Sequence, residues 1–231
     1  MRGVVSRNFC SPGAALILGN ELLSEADPGY PVANVSKFRI SAHTVERIFG
    51  TLRDRAPAVP LGWTPPSSVN TAADVFVGYL LLDAIVGNAD RHHENWGVVR
   101  LPNGAVHLAP TFDHASSLGR NLSDATRLER LRTKDRSFDM EAFARKARSA
   151  LYRHEADKRP LSTLDAFREA TFRNRKAANR WLDALEDVAD VEIATIIDNV
   201  PEERISNMAA EFAKRLIFVN KKNLRDLKGE L

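Results

Sequence analysis

From Val75 to Val86 the chain reads Val75, Phe76, Val77, Tyr79, Leu80, Leu81, Leu82, Ala84, Ile85 and Val86, broken only by Gly78 and Asp83. At 3.6 residues per turn these side chains lie nearly all the way round a helix. In a water-soluble chain such a helix is stable only at the centre of the fold, with other elements on every side. The run falls short of the roughly 18–20 apolar residues that a membrane span needs. The helix is expected to start between Ser67 and Thr71, with Ser68 or Asn70 as its cap. Gly87-Asn88 stops it, because glycine enters the left-handed turn that ends a helix at no steric cost. Asp83 is out of place on such a helix. A buried unpaired charge is costly, so Asp83 is expected either to pair with an arginine or to order the loop that follows.

A central helix needs partners, and the remaining sequence supplies them. The 231 residues, 44% of them hydrophobic, suffice for one large domain or two small ones with a real core. Residues 3–9 read as a short strand, and Leu16 to Leu23 as a second short apolar segment before a turn at Asp27-Pro28-Gly29. Val45, Ile48, Phe49 and Leu52 have helical spacing within 42–52. Pro57, Pro60, Pro65 and Pro66 mark a loop. Trp96–Leu101 and Ala105–Ala109, joined by Pro102-Asn103-Gly104, read as a hairpin. From Asp139 onward the pattern is helical throughout. Its stripes are Phe143/Ala147/Ala150/Leu151, Leu164/Phe167/Ala170/Thr171, and Trp181/Leu182/Leu185/Val188. Pro201 is expected to open the last helix, and the charged last ten residues are expected to fray. The fold class is therefore mainly α with one small β-hairpin.

Charge and cysteine content narrow the function classes. A single cysteine, Cys10, excludes a disulfide scaffold and a multi-cysteine zinc site, and points to a reducing compartment. Residues 1–10 carry no apolar signal core, so the expected location is cytoplasmic, without membrane attachment. Lysine and arginine total 33 against 30 aspartates and glutamates. The excess sits in residues 120–160, with 12 basic and 7 acidic side chains. That segment reads foremost as a solvated helix face, and only secondarily as a weak or indirect contact for nucleic acid or an acidic partner.

Chemistry concentrates between Gly87 and His114. Gly87-Asn88-Ala89-Asp90-Arg91-His92-His93-Glu94-Asn95-Trp96 leaves the buried helix, and Leu108-Ala109-Pro110-Thr111-Phe112-Asp113-His114 leaves the hairpin. With a three-residue hairpin loop, Leu101 pairs with Ala105. Trp96 then faces Pro110 and Asn95 faces Thr111. Asp90, Asn95 and Asp113 are thus expected to converge. Two carboxylates and an amide oxygen suit Mg²⁺ or Mn²⁺ better than zinc. An aspartate, four residues, an asparagine, then a second aspartate beyond a hairpin is also the arrangement of kinase catalytic and metal-binding loops. His92 is the better placed of the two adjacent histidines. His107 reads as structural, and His114 as an outer neighbour of the site. Trp63, Trp96 and Trp181 read as core.

These motifs, Asn-x-Asp-x-His-x-x-Asn followed by Leu-x-Pro-x-x-Asp, resemble the C-terminal lobe of HipA-like serine/threonine kinases, the toxin kinases of bacterial toxin–antitoxin modules and their relatives. The resemblance is dense over 70–120. It implies a protein-kinase-like C-terminal lobe over 41–231, with 1–40 as short strands and linker at a lobe junction. It implies Asp90 as catalytic base, His92 as an orienting residue of the catalytic loop, and Asn95 and Asp113 as the Mg²⁺ ligands that also hold ATP. A protein hydroxyl would be the substrate. No lysine precedes Lys37 and no glycine-rich phosphate loop is visible, so the N-terminal lobe is expected to be missing or supplied by a partner subunit; an antitoxin is the other partner the resemblance implies. The alternatives are a catalytically inactive kinase-like binding module, and a metal-dependent hydrolase using Asp90, His92, Asn95, Asp113 and His114.

Overall fold

The computed structural model describes residues 6–31 and 39–230. The elements run β1 (Ala15–Leu18), α1 (Gly19–Ala26), α2 (Val45–Arg55), α3 (Ala72–Val86), β2 (Gly97–Arg100), β3 (Val106–Leu108), α4 (Asp124–Arg132), α5 (Met140–Lys146), α6 (Thr163–Arg173), α7 (Arg175–Asp187), α8 (Asp190–Asp198) and α9 (Asn207–Glu230). Helix α3 is central, as its all-round apolar surface requires. Helices α2, α6, α7 and α9 pack on it, and Phe76, Val77 and Leu80 are fully enclosed.

The cap of α3 differs from expectation. Thr71, not Ser68 or Asn70, is the N-cap, and its hydroxyl accepts from the Asp74 N–H. Asp74 Oδ2 in turn accepts the N–H groups of Thr71 and Asn70. A Thr-x-x-Asp box satisfies the free helix donors reciprocally, which Ser68 or Asn70 alone could not do. At the other end Gly87 has φ 62 and donates its N–H to the Asp83 carbonyl, the expected left-handed stop.

The hairpin has the counted register. Val98 lies opposite Leu108 and Arg100 opposite Val106, and Leu101 N–H donates to the Ala105 carbonyl. A third strand joins it. β1 pairs antiparallel with β2, from Ala15 opposite Arg100 to Leu18 opposite Gly97. The apolar segment 16–23 is therefore part strand and part helix, dividing at Gly19. The first N–H groups of α1, from Gly19 and Asn20, donate to the carbonyls of Trp96 and His93. The expected strand at 3–9 lies partly outside the described residues. Residues 6–9 have no strand pairing, and Phe9 instead stacks on Phe112 at 5.8 Å between ring centroids. Leu22, Leu23, Tyr30 and Ile40 share one core with α2, α3, α6 and α7.

The C-terminal half departs from a continuous helical run. Asp139 caps α5, but α5 ends at Lys146. Ala150 and Leu151 are buried on an extended segment instead. Arg148 bridges to Ser162 there, and Tyr152 bridges to Thr44. Helix α4 was not legible as an element. None of its residues is fully buried, yet it packs on α9. Of its arginines Arg132 is exposed, whereas Arg127 donates to the Gly119 carbonyl and Arg130 to the Phe138 carbonyl, so the solvated face anticipated for the 120–160 segment is only partly present here. Pro201 opens a turn rather than α9. The helix begins at Asn207, where Ser206 Oγ accepts from the Ala209 N–H. Its charged end does not fray, because Leu224 and Leu227 continue the buried stripe of Phe212, Leu216 and Val219. Trp96 is core, as expected. Trp63 is not: it is 38% exposed and stacks on Trp181 with 6° between the ring planes.

Candidate active site

The loop leaving α3 is built around two buried groups. Asn88 is fully enclosed. Its N–H donates to the Asp83 carbonyl, its Nδ2 to Asp83 Oδ1 at 2.8 Å, and its Oδ1 accepts from the Asp90 N–H. Arg91 is 0% exposed. Its Nε and Nη2 grip the two Asp83 carboxylate oxygens, each at 2.8 Å. Nη1 donates to the Asn95 carbonyl at 2.6 Å, and Nη2 also donates to Thr111 Oγ1 at 2.8 Å. Burial alone would depress the guanidinium, but the Asp83 charge and hydrogen bonds more than offset it, and its pKa is raised. Planar, bidentate pairing suits arginine here as lysine would not. One side chain thus joins the end of α3, the loop, and the strand returning from the hairpin.

The two readings of Asp83 both hold: it pairs with an arginine and, through Asn88 and Arg91, it orders the loop. Arg91 itself carried only an indirect signal. It lies eight residues beyond Asp83, past a glycine turn, where no helical spacing links the two. The expected facing of Asn95 and Thr111 is also present, bridged by Arg91.

Asp90 sits on this support. Its Oδ2 accepts from Ser116 Oγ at 3.4 Å, and the Ser116 carbonyl accepts from the Ala89 N–H. Its Oδ1 is buried and has no hydrogen-bond partner. Asn95 closes the loop by donating Nδ2 to the Asp90 carbonyl at 2.7 Å. His92 Nδ1 accepts from the Glu94 N–H. In the neutral ring this leaves the proton on Nε2, which lies 3.6 Å from Asp90 Oδ1. Behind the loop, Trp96 Nε1 donates to His43 Nε2, so His43 Nδ1 carries the proton directed to the Ala150 carbonyl. Burial pushes the His43 pKa down to about 3, with the backbone bond to Ala150 opposing it. His93 packs against Tyr30, whose hydroxyl lies 3.0 Å from its Nδ1.

The structure therefore brings Asp90, His92 and Asn95 together on one loop. Asp113, at φ 53, is exposed on the segment beyond the hairpin. It is coupled to the loop through the charge of Arg91, and among the described residues it makes no hydrogen bond to Asp90 or Asn95. His114 lies 2.7 Å from Thr111 Oγ1, an outer neighbour as expected, and burial lowers its pKa, aided by Arg91. His107 is structural, its Nδ1 2.9 Å from the Val59 carbonyl. Asn88, Arg91, Thr111 and Ser116 were not identified as site residues from sequence, because each acts by a contact that the fold creates.

Among the described residues, no group of three or more His, Cys, Asp or Glu side chains is arranged to hold a metal ion. A structural zinc-type cage is absent there. By donor type the Asn95 amide oxygen and the Asp90 and Asp113 carboxylates suit Mg²⁺ better than zinc. Asp90 and Asn95 share the loop, and Asp113 lies on the exposed segment beyond the hairpin.

No protein-family model matches the sequence, and no curated protein matches it. A solved structure does match: that of the Helicobacter pylori proinflammatory kinase CtkA, at a TM-score of 0.64 and 20% identity, covering 93% of this chain and 70% of that one. The fold of this chain is thus kinase-like.

Proposed function

We propose that the chain is the catalytic-loop part of a HipA-like, ATP-dependent serine/threonine protein kinase. The observation that carries the reading is the buried, partnerless Asp90 Oδ1 on a loop closed by Asn95. A carboxylate oxygen kept free and preorganised can orient an acceptor hydroxyl and take its proton. Ser116 holds Oδ2, leaving Oδ1 for that task. His92 Nε2 lies 3.6 Å from the same oxygen, close to it but beyond hydrogen-bond distance. Asn95 and Asp113 would hold Mg²⁺, which supplies charge neutralisation on the phosphate oxygens of ATP. Arg91 keeps the Asn95 and Thr111 segments in one relative position, and positioning is most of what phosphoryl transfer asks of a protein.

The test is transfer of labelled γ-phosphate from Mg·ATP to the chain itself or to casein, read beside calorimetric binding of Mg·ATP. Asp90→Asn is expected to bind Mg·ATP normally and to lose transfer by about 10²-fold or more. Asp113→Ala is expected to lose binding. Undiminished transfer by the Asp90→Asn protein would overturn the assignment.

A further inference from the structure

On the flank of α3 away from Asp83 lies a cleft of about 540 Å³, within the size range of small-molecule sites. Its walls include Val75, Leu82 and Ile85 of α3, Trp181 and Leu185 of α7, and Trp63 of the proline-rich loop. Gly78 is part of the reason the cleft has this shape. A Cβ at that position would meet the Trp181 ring at 2.5 Å, so the indole lies directly on the backbone of α3.

Three features define what the cleft can hold. None of its lining residues is charged. Its two hydroxyl-bearing residues are already committed: Tyr79 donates to the Ala109 carbonyl at 2.9 Å, and Thr111 Oγ1 accepts from Arg91. An occupant would therefore find no charge to pair with and few free polar groups, so its buried part is uncharged hydrocarbon. The lining along α3 runs from Val75 to Ile85, about 15 Å at the helical rise, so the cleft is long. The exposed apolar rim consists of Leu61, Trp63 and Val188. Three side chains fall far short of the roughly 800 Å² per partner of a standard protein interface, which favours a small ligand over a docked protein.

We propose that this cleft is a binding site for the alkyl chain of a small molecule. The site is independent of the kinase reading. It shares Thr111 with the candidate active site, so an occupant would touch a residue hydrogen-bonded to Arg91.

The three tryptophans allow a direct test by indole N–H signals in nuclear magnetic resonance, with uncharged 1-decanol as probe. Trp63 and Trp181 line the cleft, whereas Trp96 is enclosed beside His43. Saturable shifts at Trp63 and Trp181, with Trp96 unmoved, are expected. Ala184→Phe, which fills the cleft, and Val188→Asp, which charges its mouth, should each abolish those shifts. An unchanged Trp96 signal in each variant shows that the fold is retained. Four outcomes would overturn the proposal. One is no shift up to the solubility limit of the probe. Another is equal shifts at all three indoles, or undiminished shifts in both variants. The last is Trp63 and Trp181 signals that move with protein concentration alone, which would mean that a second copy covers the cleft.

Discussion

The two segments that carry the candidate site are built to different standards. In residues 87–96, Asn88, Arg91, His92, His93 and Asn95 are all buried, and hydrogen bonds tie the loop to α3, to α1 and to itself. In residues 110–119 none is fully buried, and Asp113 and Leu118 have positive φ without being glycine. This second segment is tethered at a few points. They include Thr111 to Arg91, Phe112 stacked on Phe9, Ser116 to Asp90 and to Ala89, Leu118 N–H to the Val86 carbonyl, and the Gly119 carbonyl to Arg127. The fold thus completes the half of the site that would handle the acceptor hydroxyl. The half carrying Asp113 is held mainly by its ends.

The sharpest way to break this contrast is to remove the group that supports both halves. Arg91→Leu would leave the Asp83 carboxylate buried without its cation. A loss of about 3–5 kcal/mol is expected, as for other broken buried pairs, and is measured by urea denaturation. A loss below about 1 kcal/mol would show that the guanidinium is not the keystone.

Acid should weaken the first segment through His43. The folded ring takes a proton only near pH 3, whereas an unfolded histidine does so near 6.5. The unfolded chain therefore binds the proton first as pH falls. Stability is fully present above about pH 6.5 and is lost toward pH 3, at up to about 1.4 kcal/mol per pH unit. The slope of unfolding free energy between pH 6 and pH 4 should be visibly shallower in His43→Gln. Equal slopes would show that the ring is not held neutral.

Thr111→Val cuts the bond between the halves while keeping the shape. It should cost about 1 kcal/mol. Amide hydrogen exchange should accelerate in 112–119 and stay slow in 88–96. Acceleration of both together would mean that the two segments are one cooperative unit. The smallest expected effect is that of Asp113→Gly, which removes a side chain from a left-handed position. Thermal unfolding should place its stability within about 1 kcal/mol of the parent, while calorimetric binding of Mg·ATP is lost.

Particular residues show what kind of information each level holds. The all-apolar run before Gly87 placed α3 at the centre and stopped it at the right residue, because burial and a glycine stop are local consequences of composition. The hairpin register followed from a three-residue loop by counting. Helix α4 and the start of α9 escaped. The first has no buried stripe to betray it, and the second begins after a turn that Pro201 imitates. The non-helical stretch at 147–161 escaped because it is held by isolated bridges to Thr44 and Ser162, which no local pattern shows.

By itself the sequence determined that Asp90 and Asn95 share one tight loop at the end of a buried helix, and that a hairpin returns Thr111 to face Asn95. Spacing and alternation are properties of the chain, so they can be counted. Only the tertiary structure decided that Arg91 would join Asp83, Asn95 and Thr111, that Ser116 would hold one oxygen of Asp90 and leave the other free, and that Trp63 would line a cleft rather than fill the core. Those outcomes depend on which distant groups meet once water is excluded, and a buried charge or a free oxygen has no energy until its surroundings exist.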